Sequence, residues 1–600
     1  MKGENYDARK EVLSDFHNVR IENFSNDNLI CVDTVHMLPN EEFEAKLIES
    51  PSGEKIIDFG QNLVGYIELS FDGKEDEKIV LTHGETLDQN GNFTIANFQN
   101  PKVTTHQQII YTCKNGKNSY HPTKTYMGFR YVKIEGDVNL LPSNVKAHAI
   151  YSDMRVTSKF ECNMPEINKL FENAIWSMKG NFLDIPTDCP TREKSGFSGD
   201  CQAFIHTAMY LMDCFSVYSK WLSEQAAGQY PDGNIPQISP KACKPEEHDI
   251  LFGKTFMDGC IGWADSIEIV PYRLAKRYGD TSVIENNYEV IKKWTEYEIK
   301  RAKRTRFTNK FRLKREYREF MIDTGWMWGE WLEPYQDATK YVQNLIIHGD
   351  AEVGTAFFYL NLCYVRDMAK LLNKDDDAKY FDNLSRKVKE AYRATYTENG
   401  KILEEKRQCR FVRPIAHDLL SEDEKFEAAK ELSTMIKENN NHLNTGFLTT
   451  HELCRVLSNY GQTETAYDLL LQKEMPSWLH SVCKGLTTIP EAWDFYKEDG
   501  SPRDSYNHYS YGAIAGWLMD SVAGIKINEG KITIEPHTDK RIGYVKASYD
   551  SPYGKIISNW EYEGEKINYH IVIPTNMEAE IAIENMERKT LKTGEYVFYC

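Results

Sequence analysis

The sequence predicts a multidomain chain with a central all-helical body between an N-terminal and a C-terminal β-sandwich. Three observations carry that expectation. Apolar residues alternate with a period of two over about 44–153, recur at 3.6 over about 154–525, and alternate again over 526–600. No internal repeat or low-complexity linker separates the zones, so the domains are expected to pack directly. The length, 600 residues, allows about three to six domains at roughly 100–200 residues each.

Residues 1–43 hold few hydrophobic side chains and no complete strand pattern, and read as the remnant of a larger β-domain. In the first β zone Gly65-Tyr-Ile-Glu-Leu-Ser-Phe71 alternates and Lys78–Thr82 follows. Asp88-Gln-Asn-Gly-Asn92 marks a turn, and Gln107–Cys113 with Phe129–Glu135 make a further strand pair. The helical zone opens at Asn163-Met-Pro-Glu166, with Asn as cap candidate and Pro in the first turn. Ile167, Leu170, Phe171, Ala174, Ile175 and Met178 then share one face. Helices are further expected over Cys201–Gln225, Trp263–Tyr278, Ser282–Arg301, Ala351–Leu372, Asp377–Tyr396, Glu422–Glu438, Thr450–Tyr460, Glu464–Leu471 and Tyr511–Val522. That makes about ten, joined by long aromatic and charged loops, and long loops in a compact domain tend to carry function. The last zone alternates through Lys531–Glu535, Gly554–Ser558, Lys566–Ile573 and Ala579–Ile583.

Composition narrows the function. With 72 basic and 90 acidic residues the formal charge is −18, which argues against a nucleic-acid partner because phosphate binding needs clustered Lys and Arg. The one basic run, Lys300–Arg318, reads as a solvated face. Hydrophobic residues make up 41% and the mean hydropathy is −0.57, as in a water-soluble protein with a sizeable core. No apolar run approaches the ~20 residues of a membrane span, so no membrane partner is expected. The N-terminus lacks the apolar core of a signal peptide. The thirteen cysteines form no Cys-x-x-Cys pair. They suit reduced thiols in a cytoplasmic protein, with no metal site and no cofactor. The oligomeric state stays open, a homodimer among the options.

Several motifs fail on inspection. Gly60-Gln-Asn-Leu-Val-Gly65 has phosphate-loop spacing but continues Tyr-Ile, and His451-Glu-Leu-Cys-Arg455 lacks the second His of a zinc-protease helix. No Gly-x-Ser-x-Gly nucleophile elbow occurs. Two segments stand out instead. Asp184-Ile-Pro-Thr-Asp-Cys-Pro-Thr-Arg-Glu-Lys-Ser-Gly-Phe-Ser-Gly-Asp200 fixes its backbone with two prolines and two glycines and crowds Asp188, Arg192, Glu193 and Asp200. Carboxyls so crowded cannot all ionise freely, so at least one pKa is expected to rise and to suit a general acid. The structural reading, in which Arg192 neutralises capping carboxylates, stands beside it. In Gly485-Leu-Thr-Thr-Ile-Pro-Glu-Ala-Trp-Asp494, Glu491 lies among apolar residues and Trp493, a costly place for a charge unless it is paired or used. Two carboxyls from distant loops are what glycoside hydrolysis requires. Gly262-Trp-Ala-Asp265, Gly325-Trp-Met-Trp-Gly-Glu-Trp331 and Asn507-His-Tyr-Ser-Tyr511 add ring-and-acid clusters suited to the wall of a sugar site.

Taken together, Asp188-Cys-Pro-Thr-Arg-Glu-x-x-Gly-Phe-Ser-Gly-Asp200, Gly485-x-Thr-Thr-Ile-x-Glu-x-Trp493 and Asn507-His-Tyr resemble the bacterial α-L-rhamnosidases of glycoside hydrolase family 78. Asp58-Phe-Gly-Gln-Asn-x-Val-Gly65 looks like that family's β-domain, Ala547-Ser-Tyr-Asp-Ser-Pro-Tyr-Gly554 like its C-terminal sandwich, and Glu4–Lys10 like a piece of its N-terminal β-domains. The resemblance implies an (α/α)6 barrel for 154–525 and an inverting hydrolase that releases terminal α-L-rhamnose. By motif position it makes Glu193 the general acid and Glu491 the general base. Asp188, Arg192, Phe197, Asp200, Trp263, Asp265, Trp328, Trp331, Trp493 and His508 would bind the sugar of a rhamnose-containing glycoside or oligosaccharide. Phe197 stands where family members usually carry Trp, Glu330 where Asp is common, and Pro490 where Trp is usual. The competing readings are a related barrel glycosidase acting on another sugar, and a catalytically idle carbohydrate-binding protein. The inverting reading expects Glu193 to carry the raised pKa, Glu491 to be ionised, and the two carboxyls to lie roughly 6.5–9.5 Å apart.

Overall fold

The computed structural model describes residues 3–11, 18–27, 29–31, 34–99, 106–241, 256–310, 313–403 and 406–600. Residues 311 and 312 of the basic run lie outside the described residues. The chain divides into two compact units. One comprises Met1–Asp153, Trp176–Lys194 and Pro490–His508, and the other Met154–Ile175, Ser195–Ile489 and Tyr509–Cys600. The loops carrying Glu193 and Glu491 therefore pack with the N-terminal β-domain, although in sequence both fall inside the helical zone.

The first unit is built on a nine-stranded sheet. Its spine is the strand Lys55–Gly73, which pairs antiparallel with Met127–Gly136 (Ile57 opposite Val132) and with Val145–Ser152 (Ile67 opposite Ala147). Alternation buries Ile57, Leu63, Ile67, Leu69 and Phe71 in one apolar core with Ile79, Leu81, Phe129 and Val132. Each such side chain is worth about 1.5–3 kcal/mol when taken out of water. The register slips between Asp58 and Leu63. Gly60, at φ 76°, makes that bulge possible, and Asp58 locks it by accepting from the Gly60 N–H at 2.7 Å and from Arg130 at 2.9 Å. The phosphate-loop spacing of the sequence is thus a β-bulge. The strands Met37–Glu44, Lys46–Glu49 and Gly116–Tyr120 fall outside the strands expected from the sequence, and in the first two exposed apolar residues such as Leu38 and Leu47 blur the alternation.

The second unit holds the helices and a seven-stranded C-terminal sheet. Glu422–Glu438 begins at Ser421 with a reciprocal cap from Glu424, and Gly279 ends Ser266–Tyr278 in the left-handed conformation. Three differences from expectation have local causes. The expected helix over Cys201–Gln225 is two, Ser198–Leu211 and Phe215–Ala227, because Met212 turns extended and bridges Val156. The break carries no Gly or Pro to announce it. Cys409–Ala416 went unexpected because it contains Pro414, ordinarily a stop signal. Tyr511–Val522 is a composite of tight, regular and wide turns: Ser510–Ala513, Ile514–Trp517 and Leu518–Val522. In the C-terminal sheet, Tyr544–Ser551, Gly554–Glu563, Lys566–Ile581 and Lys589–Tyr599 form a meander. Its edge is completed by Ser158–Cys162, whose Phe160 lies opposite Ala547. No helix among the described residues is long and apolar enough to cross a membrane.

Candidate active site

In the first unit the loop after helix Pro165–Asn181 folds back as a two-stranded turn, Phe182–Leu183 against Ile185–Pro186, with Asp184 at φ 69°. Asn181 fastens this loop to the segment of Glu491. Its carbonyl accepts from the Thr187 N–H at 2.7 Å, and its Nδ2 donates to Asn507 at 3.1 and 3.2 Å. Gly180 lets the strands of chain come that close, since a Cβ there would meet Asn507 Nδ2 at 2.4 Å.

The result gathers Asp188, Arg192, Glu193, Glu491, Asp504 and His508. One guanidinium nitrogen, Arg192 Nη2, lies 2.9 and 3.0 Å from the two oxygens of Glu491 and 3.3 Å from Glu193 Oε2. Arg192 Nη1 donates to Asp504 at 3.1 Å. The nearest oxygens of Glu193 and Glu491 are therefore held closer than roughly 6.5 Å, the lower edge of the spacing expected of an inverting pair, because one cation draws both inward. Glu491 is anchored on its other side, donating its N–H to the Ser505 carbonyl at 2.9 Å and accepting the Ser505 N–H on Oε2 at 3.0 Å. It is 7% exposed, whereas the Glu193 side chain is 40% exposed. Below Glu193 lies Cys189, fully buried, whose thiol faces Oε2 at 3.6 Å.

The electrostatics reverse the expectation. Burial works to raise the Glu193 pKa, but a hydrogen bond with Asp188 and the Arg192 guanidinium overcome it and hold the group at about 2. Two carboxyls share a hydrogen bond only when one is protonated, so Asp188 and Glu193 hold one proton between them. Glu491 is raised by burial, with Arg192 opposing and Asp504 adding repulsion. In the loop expected to carry a raised carboxyl Glu193 falls instead, and the carboxyl that rises is Glu491 on the other segment. The cause is that Glu193 sets the Asp188 hydrogen bond as well as Arg192 against burial, whereas Glu491 has Arg192 alone of these and is repelled by Asp504. Lys194, half-buried and donating to the Tyr126 carbonyl at 2.7 Å, is pushed down by desolvation to about 8.

Phe197, Asp200, Trp263, Trp328 and Trp331 gather in the second unit. Phe197 caps Ser198–Leu211, and Asp200 in its first turn accepts the Ser510 hydroxyl at 2.9 Å. Gly199 is required there because a Cβ would stand 2.3 Å from the Trp263 ring. Trp328 links the rings, 6.4 Å from Trp263 and 5.0 Å from both Trp326 and Trp331, and donates to Gln237 at 2.8 Å. Trp328 and Trp331 are half-buried and Trp263 is buried. Asp265 does not join this wall. It is fully buried, with Oδ2 taken by the Gly262 N–H at 2.6 Å and Oδ1 by Trp294 at 3.2 Å. Glu330 is likewise interior, paired with Arg413 and accepting from Thr449 at 2.8 Å. Trp493 and His508 are buried in the first unit.

Two sets of ligand atoms lie within 4.8 Å of one another: Asp188, Cys189 and Glu193, and Asp265, Glu268 and Glu298. Burial pushes the Cys189 thiol well above its ordinary pKa.

A family model described as the bacterial alpha-L-rhamnosidase 6 hairpin glycosidase domain matches residues 155–522. The chain belongs to that family. Models of the family's concanavalin-like and C-terminal domains match 48–151 and 530–598. The expected fold class, a central helical barrel between two β-domains, is thereby met. An α-L-rhamnosidase of Formosa agariphila is 31% identical over 570 residues, covering 92% of this chain and 58% of the relative. One of Alteromonas sp. is 31% identical over 574 residues, covering 90% and 59%. The chain thus spans little more than half the length of these relatives. The crystal structure of Streptomyces avermitilis α-L-rhamnosidase complexed with L-rhamnose superposes with a TM-score of 0.84 at 26% identity, covering 95% of this chain and 54% of that one. Native α-L-rhamnosidase from Aspergillus terreus gives 0.84 at 28%, covering 96% and 66%.

Sequence reasoning missed Asp504 and Glu85. Asp504 carried a faint signal in the acid–base pair Arg503-Asp504 beside Asn507-His508. Glu85 ends a strand, where nothing in the pattern distinguishes a buried carboxyl from a surface one.

Proposed function

We propose that this chain hydrolyses terminal α-L-rhamnosides with inversion, Glu193 acting as general acid and Glu491 as general base. The observation that carries the acid–base pairing is the meeting of two glutamates from distant loops on one Arg192 nitrogen, and inversion requires the two carboxyls to part and admit a water. The proton shared by Asp188 and Glu193 is delivered by Glu193, the more open of the two, to the glycosidic oxygen as the C1–O bond breaks. Glu491 takes a proton from a water that attacks C1 on the opposite face and releases it to solvent as the product leaves, while the Asp188–Glu193 pair takes up one proton from solvent. Asp188, Arg192, Phe197, Asp200, Trp263, Trp328, Trp331, Trp493 and His508 are assigned to the sugar. Asp265 is assigned to the core. The buried free thiols support a reducing, cytoplasmic setting.

A chromogenic aryl α-L-rhamnoside tested beside other aryl glycosides decides the substrate. Release from the rhamnoside alone is expected, and rhamnose binding without release from any substrate would favour the idle binding protein. Proton NMR in the first minutes decides the stereochemistry. β-Rhamnose is expected first, and α-rhamnose first would make Glu491 a nucleophile or a bystander.

A further inference from the structure

One buried carboxylate outside the sequence-derived site touches both catalytic loops. Glu85 follows directly on the strand Lys78–Gly84 and is 3% exposed. Its Oε2 accepts from Asn97 Nδ2 at 2.8 Å, from the Thr191 hydroxyl at 3.2 Å and from the Tyr506 N–H at 3.3 Å. Its Oε1 faces the Ser505 hydroxyl at 3.4 Å. Asn62 adds a further side-chain bond. These partners are all neutral, and a buried carboxylate with no countercharge is a costly thing to keep.

What the partners have in common is their place in the chain. Thr191 immediately precedes Arg192. Ser505 holds Glu491 from both directions: its N–H donates to Oε2 at 3.0 Å, and its carbonyl accepts the Glu491 N–H at 2.9 Å. One rigid group at the end of a sheet strand therefore reaches each loop within a residue of the chemistry. We propose that Glu85 is a positioning residue, a clamp whose carboxylate pins the loop of Glu193 to the loop of Glu491 and so fixes how Arg192 is shared between them. The proposal rests on reading that pair as acid and base.

The clamp depends on ionisation, because a protonated carboxyl turns one acceptor oxygen into a donor amid a ring of donors. Burial raises Glu85 to about 7, against the bonds from Tyr506, Asn97, Asn62 and Thr191. The titratable side chain next to it, Tyr506, commits its hydroxyl to the Phe495 carbonyl at 2.7 Å. Near neutral pH the two loops should tighten together as Glu85 loses its proton.

The test uses the full chain, with Glu85→Gln, Glu85→Asp, Thr191→Val and Ser505→Ala. It reads amide hydrogen exchange over 185–194 and 490–508, and kcat and KM on an aryl α-L-rhamnoside from pH 5 to 9. Glu85→Gln should speed exchange in both segments at once. It should lower kcat by about 10–100-fold, as expected when reacting groups shift by a fraction of an ångström, with KM moving less. It should also erase an inflection of the pH profile near neutrality. Glu85→Asp should restore part of the rate. Thr191→Val should loosen 185–194 and Ser505→Ala 490–508, and these two carry the test if Glu85→Gln does not fold. Loosening of one segment only, or a lower rate with an unaltered pH profile, would overturn the clamp. Should the unaltered chain leave rhamnosides intact, the acid–base reading falls, and the exchange data alone decide the clamp.

Discussion

Asp188, Glu193 and Glu491 gather around Arg192, and Asp265, Glu268 and Glu298 gather near Arg301. The residue types are alike and the outcomes opposite. Arg192 spends its N–H groups on carboxylates, while Arg301 spends its own on the carbonyls of Gly259, Thr324 and Trp326. In the second cluster all three carboxyls are fully buried. Glu268 Oε2 and Glu298 Oε2 have no partner among the described residues, and burial with mutual repulsion pushes both pKa values well above the ordinary range. Those two stay neutral and act as packing. The difference shows that a buried carboxyl keeps its charge through the direction of the donors around it, not through the mere nearness of an arginine.

Replacing the charged pair should therefore matter most. Glu193→Gln or Glu491→Gln should lower kcat roughly 10²–10⁴-fold, the usual weight of general acid–base catalysis. Glu268→Gln and Glu298→Gln, close to isosteres of the neutral acids, should stay within about threefold. Glu193→Gln should spare substrates with acidic phenol leaving groups, which need little protonation. Steady-state kinetics on both leaving-group types checks this, and equal losses across the two clusters would break the comparison.

Next come the arginines. Arg192→Lys should cost about 10–100-fold in kcat, because a lysine is a point charge without a fork to share. It should also move the acidic limb of the pH profile upward, since Glu491 loses stabilisation of its ionised form. Arg301→Lys should instead lower the melting temperature and leave that limb in place.

Asp188→Asn should act on the other limb. An Asn amide donates to Glu193 but has no acidic proton to pass to it, so Glu193 stays ionised and the basic limb of kcat/KM should shift to lower pH. A limb that does not move would separate Asp188 from the acid.

The smallest effect concerns stability. A carboxyl whose folded pKa is raised contributes stability that is full below its unfolded pKa and is lost as pH rises through the folded value. Glu298→Gln removes that loss. Its melting temperature should match the unaltered chain near pH 4 and exceed it by ~2–4 °C at pH 8, as read by differential scanning fluorimetry.

The sequence made the β–α–β order legible because periodicity reports burial, and it made Glu193 and Glu491 legible because their loops are rigid and chemically dense. It could not report protonation. Whether Glu193 or Glu491 rises depends on Asp188 donating and on Asp504 arriving from residues further on. Asp265 misled because Gly-Trp-x-Asp looks alike whether its acid lines a cleft or ties down a turn beneath the ring. The split at Met212 was silent because a helix that merely pauses leaves its apolar stripe intact.

The strand Ser158–Cys162 has a consequence in time. Its partner, Tyr544–Ser551, lies almost four hundred residues downstream; the bond between the Tyr544 hydroxyl and Glu161 spans 383 positions. At roughly 5–20 residues per second of synthesis, Phe160 waits on the order of twenty to eighty seconds for the neighbour that covers its backbone. Through that interval the nascent chain shows an open β-edge, and any chain stopped short of Ser551 shows it permanently. The C-terminal sheet is thus what closes the first strand of the second unit.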